Sequence, residues 1–190
     1  YTCNEEEGRE LAVAAARFRR GAEAWDAPSL FFKVPDRNMH ATSVYRDRDT
    51  NRLYHFQGNS VSYGWGSLAL FLRTSDDNGV TWSAPHWMNR KHGLRNMPIA
   101  GVIKTRSGAL VVPCDAVTGG NGGSAIHVSY DNGESWVEPG AGTPPPDFVE
   151  GGTGGTIAGI HAGVVELSDG RLMALGRGNS INDYMPKSIS

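Results

Sequence analysis

Short runs of apolar residues alternate with polar, glycine-rich segments along most of the 190-residue chain. Residues 109–113 (ALVVP) and 125–129 (AIHVS) are typical of these runs, which are short and rich in β-branched residues. The chain's 25 glycines and 10 prolines favour turns between short strands. Only residues 10–20, which are rich in alanine, have the composition of a helix. The pattern therefore predicts an all-β fold.

Three segments align without gaps and begin three similar units. They are RNMHATSV at 37–44, RNMPIAGV at 95–102 and IAGIHAGV at 157–164. Each is followed by a polar turn and a second apolar run, in the order RDRDTNRLYHF, KTRSGALVV and ELSDGRLMAL. This order predicts a β-hairpin in each unit, with SGA and SDGR supplying turn residues.

Two octapeptides, SDDNGVTW at 75–82 and SYDNGESW at 129–136, share one pattern after the third predicted strand. The glycine supplies the positive φ of a tight turn, the aspartate accepts hydrogen bonds from the turn's backbone, and the tryptophan covers the hairpin. We therefore predict a structural role for both. The residues concerned are Ser75, Asp77, Gly79 and Trp82 in the first, and Ser129, Asp131, Gly133 and Trp136 in the second.

A third copy of the ending Trp-x-x-Pro occurs near the start of the chain. Trp25 and Pro28 repeat the spacing of Trp82 to Pro85 and Trp136 to Pro139, although the acid and the glycine are missing. We therefore interpret residues 10–20 as the third strand of an earlier unit, against their helix propensity.

The two octapeptides resemble the Asp-box, or bacterial neuraminidase repeat, of the sialidase superfamily. The resemblance implies a β-propeller of four-stranded blades, with each box between the third and fourth strands. The chain would hold about three blades of a six- or seven-bladed propeller: a blade end at 1–34, blades at 35–91 and 92–148, and an incomplete blade at 149–190. We expect the remainder of the propeller beyond Ser190.

Charge and composition narrow the classes of partner. The formal net charge of −2 is spread without long runs, so binding to nucleic acid is not indicated. No apolar run approaches the roughly 18 residues that a membrane span requires. The sequence has no zinc spacing, phosphate loop or EF-hand, so we expect no cofactor and no metal. Because the chain begins at Tyr1 rather than methionine, we expect a processed, secreted or extracellular protein.

The resemblance also implies where chemistry would occur. In sialidases, arginines hold the substrate carboxylate, an aspartate is the acid, and a glutamate activates a tyrosine nucleophile. The segment HAGVVELSDGRLMALGR is similar to the family's segment Glu-x-x-Val-Val-Glu-Leu-x-Asp-Gly-x-Leu, which an arginine follows. Arg177 stands where a carboxylate-binding arginine is expected. His161 stands where the family has the activating glutamate, and a neutral imidazole does not supply its negative charge.

We interpret the protein as a glycoside hydrolase of the exo-α-sialidase type that acts on a glycan with an acidic sugar. Arg37, Arg95 and Arg177 would hold the sugar carboxylate, since the guanidinium pairs bidentately with it. An acid from Asp36 or Asp115 would protonate the leaving group, and His161 would contact the substrate or assist a nucleophile supplied elsewhere. Further candidates for substrate binding are Asn38, Asn96, Trp65 and Tyr184.

Two alternatives stay open. Some polysaccharide lyases resemble these propellers, and His40 or His161 would then be the base of a β-elimination on a uronate-containing glycan. Alternatively, the chain is a non-catalytic propeller that binds glycan or protein. The two Arg-Asn pairs recur at one position of each unit and would then only tie the starts of strands together.

Overall fold

The computed structural model of the chain describes residues 8–60, 65–116, 123–143, 155–178 and 180–190, with the side chain of Trp65 outside the description. Its described residues form short antiparallel strands and one turn of 3-10 helix, Trp65–Ser67. The prediction of an all-β fold is therefore confirmed. No helix in the described part of the chain is long and apolar enough to cross a membrane.

Sheet 1 contains two strands near the start of the chain, β1 (Val13–Ala15) and β2 (Ser29–Phe32). The alanine-rich residues 10–20 thus contain a strand, as predicted. Pairing with β2 and burial of Leu11 and Val13 outweigh the helix propensity of the alanines.

Sheet 2 is a regular four-stranded antiparallel sheet. Its strands follow chain order: β3 (Thr42–Arg46), β4 (Leu53–Ser60), β5 (Leu68–Ser75) and β6 (His86–Gly93). The two central strands are buried along nearly their whole length, whereas β3 and β6 are largely exposed or half-buried. Because both strands are covered on both faces, the first five residues of β5, LALFL, are all apolar, and β4 buries polar side chains such as His55 and Gln57 together with its apolar ones.

Sheet 3 has a less regular order than the four-stranded blade that the resemblance implied. Its strands are β7 (Met97–Pro98), β8 (Ile103–Lys104), β9 (Leu110–Asp115), β10 (Gly123–Ser129) and β11 (Ile157–Ala158). Both β7 and β8 pair with β9, so the first strand is split in two.

The outer strand of sheet 3 is also divided. Val137 makes a single bridge to Val128, near the C-terminal end of β10, and the chain then reaches Pro139. Since proline has no N–H to donate, it is a poor continuation of a strand. The N-terminal end of β10 is instead covered by β11, which comes from the following segment.

Sheet 4 contains β12 (Ile160–Glu166), β13 (Leu172–Arg177) and β14 (Lys187–Ile189). After β14, the Ser190 N–H donates to the Leu172 carbonyl. Leu53 pairs with Ser75, and Leu110 with Ser129, in the same register. The internal repeat is therefore preserved in strand pairing as far as Ser190. The predicted blade boundaries and the closed propeller stay predictions.

The turn between β5 and β6 is held together by its own side chains. Asp77 Oδ1 accepts hydrogen bonds from the Ser75 hydroxyl and the Thr81 N–H, both at 2.8 Å. The Gly79 N–H donates to Ser75 Oγ at 2.8 Å, and the Trp82 indole donates to the Gly79 carbonyl. Gly79 has a φ of +78°, as the turn requires.

The turn after β10 repeats this geometry. Asp131 Oδ1 accepts from the Ser129 hydroxyl at 2.8 Å and from the Ser135 N–H at 2.9 Å. The Gly133 N–H donates to Ser129 Oγ at 2.8 Å, and the Trp136 indole donates to the Gly133 carbonyl at 3.0 Å. Asp131 therefore satisfies the backbone of its own turn, like the aspartate of the first turn.

The two tryptophans also join each sheet to the one before it. The Trp82 ring lies edge-on to Phe31 of β2 at 5.1 Å between centroids, and the Trp136 ring lies edge-on to Phe56 of β4 at 5.6 Å. Such aromatic pairs add about 0.5–1.5 kcal/mol to the burial of their surfaces. The turns thus stabilise the stack of sheets and not only their own hairpins.

The largest core cluster lies between sheets 2 and 3. It contains Tyr54, Phe56, Leu70, Leu72, Val102, Leu110, Val112 and Cys114. Each fully buried aliphatic or aromatic side chain contributes roughly 1.5–3 kcal/mol by leaving water. This packing fixes β9, at whose C-terminal end the candidate site begins.

Candidate active site

The candidate site is built where strands of sheets 3 and 4 begin and end. β9 ends at Asp115, β12 has His161 as its second residue, and β13 ends at Arg177. Antiparallel pairing places Asp115 opposite Ser124 and Arg177 opposite Ile160. The three candidates therefore lie at the same ends of the strands in the two sheets. The Asp77 and Asp131 turns follow the opposite strand ends, after β5 and β10.

Asp115 and His161 are in direct contact. The His161 N–H donates to Asp115 Oδ1 at 2.6 Å, and His161 Nδ1 lies 2.8 Å from Asp115 Oδ2. The approach of Nδ1 to Oδ2 does not meet hydrogen-bond geometry, so the bond from the His161 backbone N–H is the directional one. The His161 side chain is 25% exposed and that of Asp115 only 7%. His161 is therefore the member of the pair that a ligand can reach.

Burial raises the pKa of Asp115 above that of an ordinary aspartate. The hydrogen bond from the His161 backbone and the charges of His161 and Arg177 act in the opposite direction. Because Asp115 oxygens already face His161, the arrangement suits Asp115 to orienting the imidazole more than to contacting a substrate itself.

His161 adopts a left-handed backbone conformation with a φ of +54°. The register of β12 against β13 shifts between Ile160 and Gly163, which is a β-bulge. In a G1 bulge the left-handed position normally belongs to glycine. A histidine there is held in a sparsely populated conformation, which Ala41 shares at the aligned position of the first repeat with a φ of +65°.

Arg177 and Tyr184 present exposed side chains on this part of sheet 4. Arg177 is exposed at the end of β13, and its charge acts on Asp115. Tyr184 is 76% exposed in the connection from β13 to β14, where its backbone pairs with Ile181 in a tight turn. The structure thus offers an exposed guanidinium whose charge acts on Asp115, and an exposed aromatic ring in the connection that follows Arg177.

Arg95 is engaged within the protein. Its Nε and Nη2 atoms donate to Glu138 Oε1 at 3.0 and 2.6 Å, and Nη1 donates to Thr156 Oγ1 at 2.9 Å. Nη2 also donates to the Gly155 carbonyl at 2.8 Å. The side chain is 21% exposed. This is the geometry of a structural tie between the start of β7 and the segment leading to β11.

The two asparagines of the repeated Arg-Asn pairs are buried. Asn96 Nδ2 donates to the carbonyls of Leu68 and Lys91, which joins the start of β7 to sheet 2. Asn38 is fully buried, and its backbone forms a bridge with Ser60. Both asparagines are therefore buried at the starts of strands, and a role in substrate binding stays a prediction for each.

Three of the remaining candidates, Asp36, Arg37 and His40, lie in the connection between β2 and β3. Asp36 is exposed, with Arg9 at 3.3 Å and Arg37 at 3.7 Å. Arg37 also donates to the Asp36 carbonyl at 2.7 Å. His40 is half-buried just before β3. The side chain of Trp65 lies outside the described residues.

Sequence reasoning overlooked Ser124. Its hydroxyl donates to the Gly159 carbonyl at 2.9 Å and accepts from the Ala162 N–H at 3.2 Å, on either side of His161. A serine after a glycine-rich loop gave no signal of its own. The available signal was the hairpin register, which places Ser124 opposite Asp115.

Within the described ranges, no three His, Cys, Asp or Glu residues are grouped to hold a metal ion.

The family profile that matches the chain is that of the BNR repeat-like domain, over residues 2–190. The chain belongs to this family. A comparison with curated protein sequences finds no match.

Similar solved structures include the Hadza microbial sialidase Hz136, with a TM-score of 0.67 and 18% identity over 96% of this chain. A NanB sialidase variant from Streptococcus pneumoniae has a TM-score of 0.59 and 10% identity over 94% of this chain. The BNR chain spans 38% and 46% of these two chains, respectively. At these identities, the comparison shows a sialidase-like fold.

Proposed function

We propose that the chain is part of an extracellular, sialidase-like propeller that hydrolyses glycosidic bonds of an acidic sugar in a glycan. The proposal rests on one observation. Asp115, His161 and Arg177 lie together where strands of sheets 3 and 4 begin or end. The group combines a buried carboxyl, an accessible imidazole and an exposed guanidinium, and membership of the BNR family supports it.

Arg177 would bind the carboxylate of the sugar. Its planar guanidinium can donate two parallel hydrogen bonds to a carboxylate, which fixes orientation as well as charge. Tyr184, exposed in the connection after β13, would stack on a sugar ring. Arg95 has no part in this proposal because Glu138, Thr156 and Gly155 already accept its hydrogen bonds.

His161 would transfer the proton in the reaction. Asp115 Oδ2 lies 2.8 Å from Nδ1, so alignment of the two groups in the substrate complex would hold a proton on Nδ1 and leave Nε2 to exchange a proton with the substrate. Hydrolysis places a proton on the leaving-group oxygen and a hydroxyl on the anomeric carbon, both from one water molecule. His161 would thus carry the proton to the leaving group, and the nucleophile would come from another part of the protein.

The experiment that tests the proposal compares Arg177→Ala with Arg171→Ala in the intact protein, on a sialylated glycan and its desialylated form. Arg171 precedes β13 at the opposite edge of the sheet and pairs with Asp169. We expect Arg177→Ala to lower kcat/KM for the acidic glycan by roughly 100-fold, as for loss of a charged hydrogen-bond pair. Equal activity of the two variants would contradict the proposal.

The Asp115–His161 pair also favours a second candidate, β-elimination on a uronate-containing glycan. In that reaction an imidazole removes the proton next to the sugar carboxylate while an arginine neutralises the carboxylate. Elimination adds no water and leaves an unsaturated sugar. A protein that binds acidic glycans without turnover would instead belong to the non-catalytic alternative.

A further inference from the structure

Ser124 is a fully buried residue of β10 that bonds to the backbone on both sides of His161. Its hydroxyl donates to the carbonyl of Gly159, two residues before His161. The same oxygen accepts the N–H of Ala162, one residue after it. A single side chain of sheet 3 therefore holds, by two hydrogen bonds, the segment of sheet 4 that carries the imidazole.

The backbone at His161 needs such support. A left-handed conformation costs a residue with a side chain about 1–2 kcal/mol, and it persists only where the surroundings enforce it. Here the surroundings are two groups of sheet 3: Asp115, which binds the His161 N–H, and Ser124, which binds the flanking residues. Ser124 is the part of this support that does not contact the imidazole.

Gly159, which Ser124 binds, is also in close backbone contact with Arg177. A β-carbon at Gly159 would lie 2.9 Å from the Arg177 nitrogen and carbonyl oxygen, so the two backbones are in close contact. Ile160, the next residue, pairs with Arg177 in the sheet. A shift of Gly159 would therefore disturb the position of Arg177 as well as that of His161.

We propose that Ser124 is a positioning residue that sets the location of His161, and through Gly159 that of Arg177, for the reaction. This inference rests on the proposed function in so far as it concerns turnover. Ser124 is fully buried and acts only through the backbone of its neighbours.

The test uses Ser124→Ala, Ser124→Cys and Ser124→Thr in the intact protein. The first readout is the NMR resonance of the His161 imidazole, identified by its disappearance in His161→Gln. The second is kcat and KM on a sialylated glycan. We expect Ser124→Ala to move or broaden the resonance and to lower kcat roughly tenfold, with KM nearly unchanged, because small misplacements reduce turnover. Ser124→Thr retains the hydroxyl and should restore both.

Ser43→Ala is the matched control. The Ser43 hydroxyl in β3 donates to the Ala100 carbonyl at 3.1 Å, so it also joins one sheet to the next. Its removal deletes the same atoms elsewhere in the stack, and we expect the His161 resonance and kcat to stay unchanged. Ser124→Cys keeps a weaker donor and should shift the resonance in the same direction by less, which provides a test should Ser124→Ala not fold.

An unchanged His161 resonance in Ser124→Ala, or in Ser124→Cys if the alanine variant is unfolded, would overturn the positioning role. A displaced resonance with unchanged turnover would retain the positioning role and contradict the proposed function of His161. If the wild type has no turnover, the resonance still decides the role of Ser124, while the proposed function fails separately.

Discussion

At the scale of single residues, the decisive feature is the left-handed conformation of His161 beside the buried Asp115. A glycine would adopt this conformation without strain. The chain instead has an imidazole there, with 25% of the side chain accessible. Ala41 has the same left-handed conformation at the aligned position of the first repeat, so the backbone shape belongs to the repeat and the imidazole is what this unit adds.

Substitution of His161 by glycine and by alanine separates these two effects. Both variants lose the imidazole, so we expect both to lose turnover. Glycine relieves the left-handed strain but gives the unfolded chain more freedom, so His161→Gly should be more stable than His161→Ala by about 1 kcal/mol. Urea unfolding measures the difference. An alanine variant as stable as the glycine variant would mean that the backbone at His161 is not strained.

The candidate residues could be predicted from the sequence, but the contacts among them could not. His161 and Arg177 were candidates because the segment that contains them resembles one of the sialidase family, and Asp115 because it begins a glycine-rich loop after an apolar run. The hydrogen bond between Asp115 and His161 joins residues 46 positions apart, and no local pattern records it. The ion pair of Arg95 with Glu138 joins residues 43 positions apart, so no local pattern in the sequence indicates it either.

At the scale of elements, the two turns that contain Asp77 and Asp131 are the most regular parts of the molecule. Their geometry could be predicted because every bond within them is local: serine, aspartate and glycine are at most four residues apart. Sheet 3 could not be predicted in the same way. The strand that covers the start of β10 comes from residues 157–158, beyond a long connection.

The two turns predict how stability changes in acid. Hydrogen bonds from Thr81 and Ser135 lower the pKa values of Asp77 and Asp131 to about 2. A carboxyl with a lowered pKa contributes stability that is complete above its ordinary pKa, near 3.8, and is lost as pH falls through about 2. We expect the melting temperature of the wild type to fall across this range.

The variant that tests this carries both Asp77→Asn and Asp131→Asn. It should be less stable than the wild type at pH 5, and the difference should shrink as pH falls from 4 to 2. Asp183→Asn, on an exposed loop, is the control and should follow the wild-type curve. A constant difference between the double variant and the wild type at every pH would contradict the role of the two carboxylates.

At the scale of the whole molecule, successive sheets pack against one another and their tryptophans contact the preceding sheet. The all-β class and the repeat could be predicted because apolar runs and turns recur at regular spacing. Stacking brings the end of β9 to the start of β12, so the candidate site forms between two sheets. Neither sheet 3 nor sheet 4 contains the Asp115, His161 and Arg177 group by itself.

Hydrolysis of an acidic sugar, with proton transfer by His161, is the reaction that most needs a direct test. The most direct measurement is mass spectrometry of the products that the intact protein, and its His161→Gln variant, form from sialylated and uronate-containing glycans in water enriched in oxygen-18. Hydrolysis through His161 predicts saturated products that carry one added water with the heavy oxygen, and a severe loss of these products in the variant. Unsaturated products without added water, or no product from either glycan, would contradict it.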